Sequence, residues 1–351
     1  VVAEGLPGLP ELLARIIEGE GLGFEEARRV ADAMLGGGLD DLDIAALLVA
    51  MRARGETSDE VAGFAASLRS HCLRVNAPPD ALDTAGTGGD RSHTLNASTA
   101  AALVAAAAGV VVAKHGNRSV SSRSGSADFL EALGYRVEHG PAEAECMLRR
   151  AGFVFLYAPR YHPAMKRVMP VRRRLGIRTV FNLVGPLSNP AMVRRQVLGV
   201  ASAGLASVMV EAARRLGYER LVLVHGLPGI DEVSVSGDTL VYLMEGGRVE
   251  RFTVRPEQLG LERHGLEELR VSSARESAER FLAVARGAGR RADRDFIAAN
   301  AGAALLAAGR VSSLEEGVSE ALELLGSGAV AEKLEEVLAA CRECCGGEPR
   351  G

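Results

Sequence analysis

The sequence predicts an α/β protein in two parts, a small N-terminal helical domain and a larger α/β domain built on a central, mainly parallel sheet. Three observations predict it. A chain of 351 residues suits two domains at about 100–200 residues each. The first 75 residues carry only helical periodicity. After Pro78-Pro79, short β-branched apolar runs alternate with helical stretches, the rhythm of βαβ units. The boundary is placed at 78, giving a helical part at 1–78 and an α/β part at 79–351.

In the helical part, Leu12, Leu13, Ile16 and Ile17 form one apolar stripe. Phe24, Ala27, Val30, Ala31, Met34 and Leu35 form a second, stopped by Gly36-Gly37-Gly38. A third helix is expected over 43–54. Thr57 and Glu60 give the T-x-x-E capping pattern that opens a fourth. In the second part, strands are expected at 110–113, 136–138, 154–156, 197–200 and 221–224, continuous apolar runs of the kind buried on both faces. Helices are expected at 98–108, 127–133, 142–151 and 203–216. Segments 239–244 and 248–254 flank Gly246-Gly247 and read as a hairpin. The last 75 residues read as helical.

Composition excludes several classes. Hydrophobic residues at 47% and charged residues at 25% exclude a disordered chain. A net charge of -4 lacks the basic footprint of a nucleic-acid binder. The longest apolar run, 100–113, is shorter than a membrane span and is interrupted by Gly109. The start, VVAEGLPGLPELL, has no basic region of the signal-peptide kind. Of five cysteines, Cys72 and Cys146 are expected to stand alone. Cys341, Cys344 and Cys345 cluster as CRECC, which reads as a helix end because a structural zinc site needs four ligands. The expected setting is a reducing cytoplasm.

Four clusters carry chemistry. The first runs Asp83-Thr84-Ala85-Gly86-Thr87-Gly88-Gly89-Asp90 and continues through Thr94, Asn96, Ser98 and Thr99. Glycines let backbone N–H groups approach phosphate oxygens, and the following helix adds its free N-terminal N–H groups. A plain turn with an N-cap fits the bare GTGGD equally well. The second cluster follows the strand expected at 110–113, at the end where open α/β sheets bind ligands. It reads Lys114-His115-Gly116-Asn117-Arg118-Ser119-Val120-Ser121-Ser122, then Ser124, Ser126 and Asp128. Its cations and hydroxyls suit an anion. The third is Arg172-Arg173-Arg174, where one arginine could hold a carboxylate by two parallel hydrogen bonds. The fourth is Asp231-Glu232, a carboxylate pair suited to Mg²⁺ shared with phosphate oxygens.

Together these clusters resemble the anthranilate phosphoribosyltransferase family. The carrying motifs are GTGGD with N-x-S-T, KHGNR-x-x-SS-x-x-GSAD, R-x-x-LG-x-RT-x-FN-x-x-GPL-x-NP, and a late D-E pair. They stand in family order across nearly the whole chain, and the RGET segment at 54–57 fits the family's helical start. The resemblance implies a nucleoside phosphorylase/phosphoribosyltransferase-like fold, with helices from about 160–185 joining the helical domain. It implies a site in the cleft between domains and a homodimer formed by the helical domains. It implies transfer of a phosphoribosyl group from 5-phosphoribosyl-1-diphosphate to the amine of anthranilate, in tryptophan biosynthesis, with Mg²⁺.

Carried over by motif, Gly86, Gly89, Asp90, Thr94, Asn96, Ala97, Ser98 and Thr99 would bind the donor. Lys114, His115, Gly116, Asn117, Arg118, Ser119, Val120, Ser121, Ser122 and Ser126 would complete that site. Gly86, Asn117 and Arg172 would contact anthranilate, with His115 and His162 nearby. Ser98, Asp231 and Glu232 would hold magnesium. His115 and Arg172 are the catalytic candidates, and a water is the alternative proton acceptor. Arg91 stands where the family often has Gly, and Leu95 and Ala97 replace the common Phe and Ile. The alternatives are a pyrimidine nucleoside phosphorylase, a nucleic-acid-binding homologue without transferase activity, and an inactive dimeric scaffold. The first should carry KHS-x-GG where this chain has GTGGD.

Overall fold

The computed structural model describes residues 7–90, 92–118 and 124–346. Four helices open the chain: α1 Leu9–Ile17, α2 Phe24–Gly36, α3 Asp41–Arg54 and α4 Ser58–Ser70. Gly37, at φ 81°, ends α2 in the left-handed conformation that glycine takes without steric cost. The capping box of α4 forms. Thr57 Oγ1 accepts from Glu60 N at 3.2 Å, and Glu60 accepts from Thr57 N at 2.9 Å. Glu60 is fully buried and also accepts from Leu22 N, so this cap ties the α1–α2 connection to α4.

The α/β part runs β1 Leu82–Gly86, α5 Ala97–Ala107, β2 Val112–Gly116, α6 Ser126–Ala132, α7 Pro141–Ala151, β3 Phe153–Tyr157 and α8 Ala158–Tyr161. A 3₁₀ turn at Pro163–Arg167 leads to α9 Met169–Leu175 and α10 Val180–Val184. Then come β4 Arg195–Gly199, α11 Ala203–Arg215, β5 Arg220–Gly226, β6 Thr239–Glu245 and β7 Arg248–Val254. Four helices close it: α12 Ala274–Ala285, α13 Arg291–Ala308, α14 Leu314–Ser327 and α15 Ala329–Cys344. The strands form one sheet in the order β3-β2-β1-β4-β5-β6-β7. β1 to β5 are parallel, and β6 and β7 are antiparallel. The β6–β7 turn uses Gly246 at φ 54° and Gly247 at φ 82°, as a tight hairpin of two left-handed residues requires.

Two apolar cores sit on opposite faces of the sheet. One packs α5 and α13 against it. α5 is Ala, Leu and Val almost throughout and is buried on every side, which no amphipathic helix could be. The other core joins α1 to α4, α9 and α10 with α11 and with Leu198, Leu221 and Leu223 of the sheet.

The structure corrects four expectations. Residues 136–138 form no strand: Arg136 N points to Cys341 Sγ at 3.3 Å, so the segment lies on α15. β1 was not anticipated, because its polar Asp83 and Thr84 broke the apolar pattern. β2 starts at Val112 and takes in Lys114, His115 and Gly116, which were expected in the loop beyond it. Cys146 does not stand alone. It is disulfide-bonded to Cys344, 198 residues away, because α7 and α15 pack side by side. Among the described residues, no helix is long and apolar enough to cross a membrane.

Candidate active site

The strand order doubles back at β1. From there the chain steps outward through β2 to β3, then returns to β1's other side for β4. Such a switch point opens a crevice at the carboxyl ends of the strands. There Gly86 ends β1 and lies in register with Gly199, which ends β4. A Cβ on Gly86 would strike the Asp231 carboxylate, and one on Gly199 would strike the Asp231 backbone carbonyl. Two missing side chains therefore let the loop after β5 lie across the sheet's end and deliver Asp231-Glu232.

The glycine-rich loop is held on that acidic pair. Thr87 N donates to Gly199 O at 2.9 Å, and Gly88 N donates to Asp231 Oδ2 at 2.8 Å. Gly88 and Gly89 turn at φ 63° and 80°, a conformation costly for other residues. Thr94 Oγ1 donates to Glu232 Oε2 at 3.3 Å. Burial, reinforced by Asp90, pushes the Asp231 carboxyl up to about 6. Burial, then Asp231 and Asp90, pushes Glu232 well above the usual carboxylate range. Ser98, Asp231 and Glu232 line one small cavity with Thr84, Gly199 and Asn300. Two carboxylates that resist ionising, beside a hydroxyl, are a donor set that fits a hard divalent cation. Among the described residues, no cluster of three or more His, Cys, Asp or Glu could hold a metal unaided. A cation here would share its shell with ligand oxygens.

Lys114 sits one layer beneath. It is 1% exposed, and its ammonium donates to Thr84 O, to Thr84 Oγ1 at 3.1 Å and to Ser98 Oγ at 3.0 Å. Burial pulls its pKa down to about 8, against the pull of Asp83. Asp83 accepts from His115 N at 3.0 Å and from Gln196 Nε2 at 3.1 Å. Burial raises the Asp83 pKa, and Lys114 opposes the rise. This polar layer explains how Asp83, Thr84 and Lys114 occupy strand interiors.

The other named residues spread around this centre. Ala97 and Thr99 are buried in the first turn of α5. Asn96 is tied to Ser124 and to Ser277, fixing the start of α5 to those of α6 and α12. Gly116 packs on Phe155 and Ser126, where a Cβ would reach the Phe155 ring at 2.9 Å. Asn117 is exposed, its side chain accepting from Arg118 N. Arg118 pairs with Glu131 and Asp128 and lies over Tyr157, so it is committed to α6. Ser119, Val120, Ser121, Ser122 and Arg91 lie outside the described residues.

A second, drier region lies nearby. His115 and His162 are both buried. His115 Nε2 and both His162 ring nitrogens have no hydrogen-bond partner among the described residues. Burial, then Lys114 and Arg69, lowers His115 to about 4; burial, then His115, lowers His162 to about 3. Arg172 lies over the Phe181 ring at 5.5 Å and touches Met169 Sδ. It has no carboxylate partner among the described residues, and burial lowers its pKa. Arg173 and Arg174 are exposed. Arg178 was assigned no role from the sequence, yet it donates to the Gly88 carbonyl at 3.3 Å.

The helical-bundle model of the glycosyl transferase family matches residues 10–72, and that family's a/b-domain model matches residues 78–331. An anthranilate phosphoribosyltransferase of Aeropyrum pernix is 52% identical over 94% of this chain and 96% of its own length. This chain belongs to the anthranilate phosphoribosyltransferase family. The family enzyme from Rubrobacter xylanophilus is 47% identical over 96% of this chain and 99% of its own. The crystal structure of the anthranilate phosphoribosyltransferase from Thermus thermophilus superposes with a TM-score of 0.88 at 45% identity, covering 94% of this chain and 99% of that one. The anthranilate phosphoribosyltransferase of Saccharomyces cerevisiae, in complex with PRPP and Mg, superposes at 0.87 with 28% identity, covering 95% and 98%. The phosphorylase and nucleic-acid-binding alternatives draw no support from these relatives.

Proposed function

We propose that this protein transfers the phosphoribosyl group of 5-phosphoribosyl-1-diphosphate to the amine of anthranilate. The products are N-(5-phosphoribosyl)anthranilate and diphosphate, and the step belongs to tryptophan biosynthesis. The carrying observation is the Gly88–Asp231 hydrogen bond, which seats a glycine-rich loop on a carboxylate pair at the sheet's switch point. The donor's phosphates would lie against that loop and the start of α5, where backbone N–H groups and the Ser98 and Thr94 hydroxyls are gathered. Ser98, Asp231 and Glu232 would hold Mg²⁺, which neutralises charge on a diphosphate leaving group.

Anthranilate's carboxylate would pair with Arg172, the half-buried guanidinium with no carboxylate partner among the described residues. The amine nitrogen then forms a bond to ribose C1 as the bond from C1 to diphosphate oxygen breaks, the electron pair leaving with diphosphate. Positioning and charge stabilisation supply most of the acceleration. The nitrogen becomes strongly acidic as it bonds to C1, so even a weak base can accept its proton. His115, neutral and with Nε2 unpartnered among the described residues, would take that role.

A second copy of the chain would cover α1 and α3. These packed helices expose Ile17 at 76%, Leu42 at 77% and Val49 at 41%, an apolar patch of the kind that marks an interface. We assign the homodimer to this face and the working compartment to the cytoplasm. Chromatography of products tests the reaction. Diphosphate and a phosphoribosylated anthranilate should form in equal amounts, and only with both substrates present.

A further inference from the structure

We infer that Arg178 is a positioning residue that locks the glycine-rich loop for the magnesium diphosphate end of the donor. The inference rests on the function proposed above and adds a residue to it. Gly88 is held through both of its flanking peptides. Its N–H donates to Asp231 Oδ2 at 2.8 Å, and its carbonyl accepts from Arg178 Nη2 at 3.3 Å. Gly88 and Gly89 are both left-handed, so this stretch has no side chain of its own to fix it. The second guanidinium nitrogen lies 2.7 Å from where a Gly89 Cβ would sit, so the loop and the arginine are closely fitted. Among the described residues, Arg178 forms no salt bridge, and its charge is uncommitted.

The arginine is itself anchored elsewhere. Gly176, at φ 63°, ends α9, the helix that carries Arg172. Thr179 is buried and opens α10, with its N–H on Asn182 Oδ1 at 3.0 Å. Phe181 then packs edge-on against Phe64 of α4 at 5.5 Å. Arg178 thus reaches from the helical side of the molecule to a loop of the sheet. It holds the donor loop in register both with Asp231 and with the segment that bears Arg172. A guanidinium suits this because it has several N–H groups in a rigid fork and keeps its charge. One N–H can grip the carbonyl while the cation favours phosphate nearby.

The test compares Arg178→Ala and Arg178→Lys with the parent in two measurements. Amide hydrogen exchange over residues 87–90 in the unliganded protein reads the loop alone. Steady-state kinetics read the KM for each substrate. For Arg178→Ala, exchange should quicken and the donor KM should rise, each by about tenfold. The anthranilate KM should stay within about twofold. Arg178→Lys should restore part of the donor KM, which a merely structural role would not predict. Unchanged exchange and unchanged donor KM in a parent-like fold would overturn the inference. If the parent protein itself shows no turnover, the proposed function fails, while the exchange arm still decides whether Arg178 holds the loop.

Discussion

His115 and His162 meet edge to face in a buried pair, their ring centroids 5.6 Å apart and their planes at 68°. Neither ring can share a proton with the other at neutral pH, because burial holds both in the neutral form, with pKa values of about 4 and about 3. Their folded values lie below the ordinary 6.5. The unfolded chain therefore takes up protons first as pH falls, and the pair lowers stability from about 6.5 downward.

The kinetic consequence is a kcat profile without an imidazole inflection near 6.5. His115→Asn should lower kcat by about a hundredfold with little change in donor KM, the loss expected when a general base is removed. An inflection near 6.5 in kcat, abolished by that substitution, would contradict a neutral His115.

In the proposed function Arg172 would serve anthranilate and Arg178 the donor loop. Arg172 is partly desolvated over Phe181 and has no carboxylate partner among the described residues, which supports its proposed pairing with the anthranilate carboxylate. Arg172→Ala should raise the anthranilate KM by about tenfold or more and leave the donor KM within about threefold. Steady-state kinetics with each substrate varied in turn check this. Equal effects on both KM values would remove Arg172 from the anthranilate site.

As a proposed magnesium ligand, Asp231 would link metal binding to pH. Its pKa is raised from 3.8 to about 6, so between those values the folded state holds a proton that the unfolded state has lost. Through this group, stability of the metal-free protein falls as pH rises across that window. Mg²⁺ needs the ionised form. The Mg²⁺-induced rise in Tm should therefore be small at pH 5 and grow through pH 6, and Asp231→Asn should abolish it. Thermal unfolding with and without Mg²⁺ across that range measures both trends.

The helical start, the positions of β2 to β5 and the β6–β7 hairpin follow from periodicity that could be read directly, whereas the sheet order could not, because its central strand β1 broke the apolar pattern. The site's polar floor could not. Asp83 and Thr84 look like loop residues until Gln196, the His115 N–H and Lys114 are brought beside them from far along the chain. The same holds for 136–138, whose Val137 is buried as a strand residue would be, yet which lies on α15. The motifs singled out Asp231 and Glu232 as a magnesium pair, and the structure brings them against the glycine loop. The reason they fit there, two register-matched glycines at the ends of β1 and β4, appears only in three dimensions. Arg178 stood inside a quoted motif but had no local signal, since its partner is a backbone carbonyl 90 residues away.

The Cys146–Cys344 bond is remote from this chemistry. It joins α7 to α15 across a separation of 198 residues, a loop whose closure entropy sets a ceiling of about 5 kcal/mol on its stabilisation. Cys344→Ser should lower Tm while kcat and both KM values hold. Calorimetry beside a standard assay checks this, and a Tm unchanged under oxidising conditions would show that the bond adds nothing.

The most direct measurement is anthranilate fluorescence followed after mixing protein, 5-phosphoribosyl-1-diphosphate and Mg²⁺. Anthranilate emission should decay only when all are present, and Asp231→Asn should slow the decay sharply at neutral pH. Persistent emission from a folded sample that binds the donor would contradict anthranilate as the acceptor.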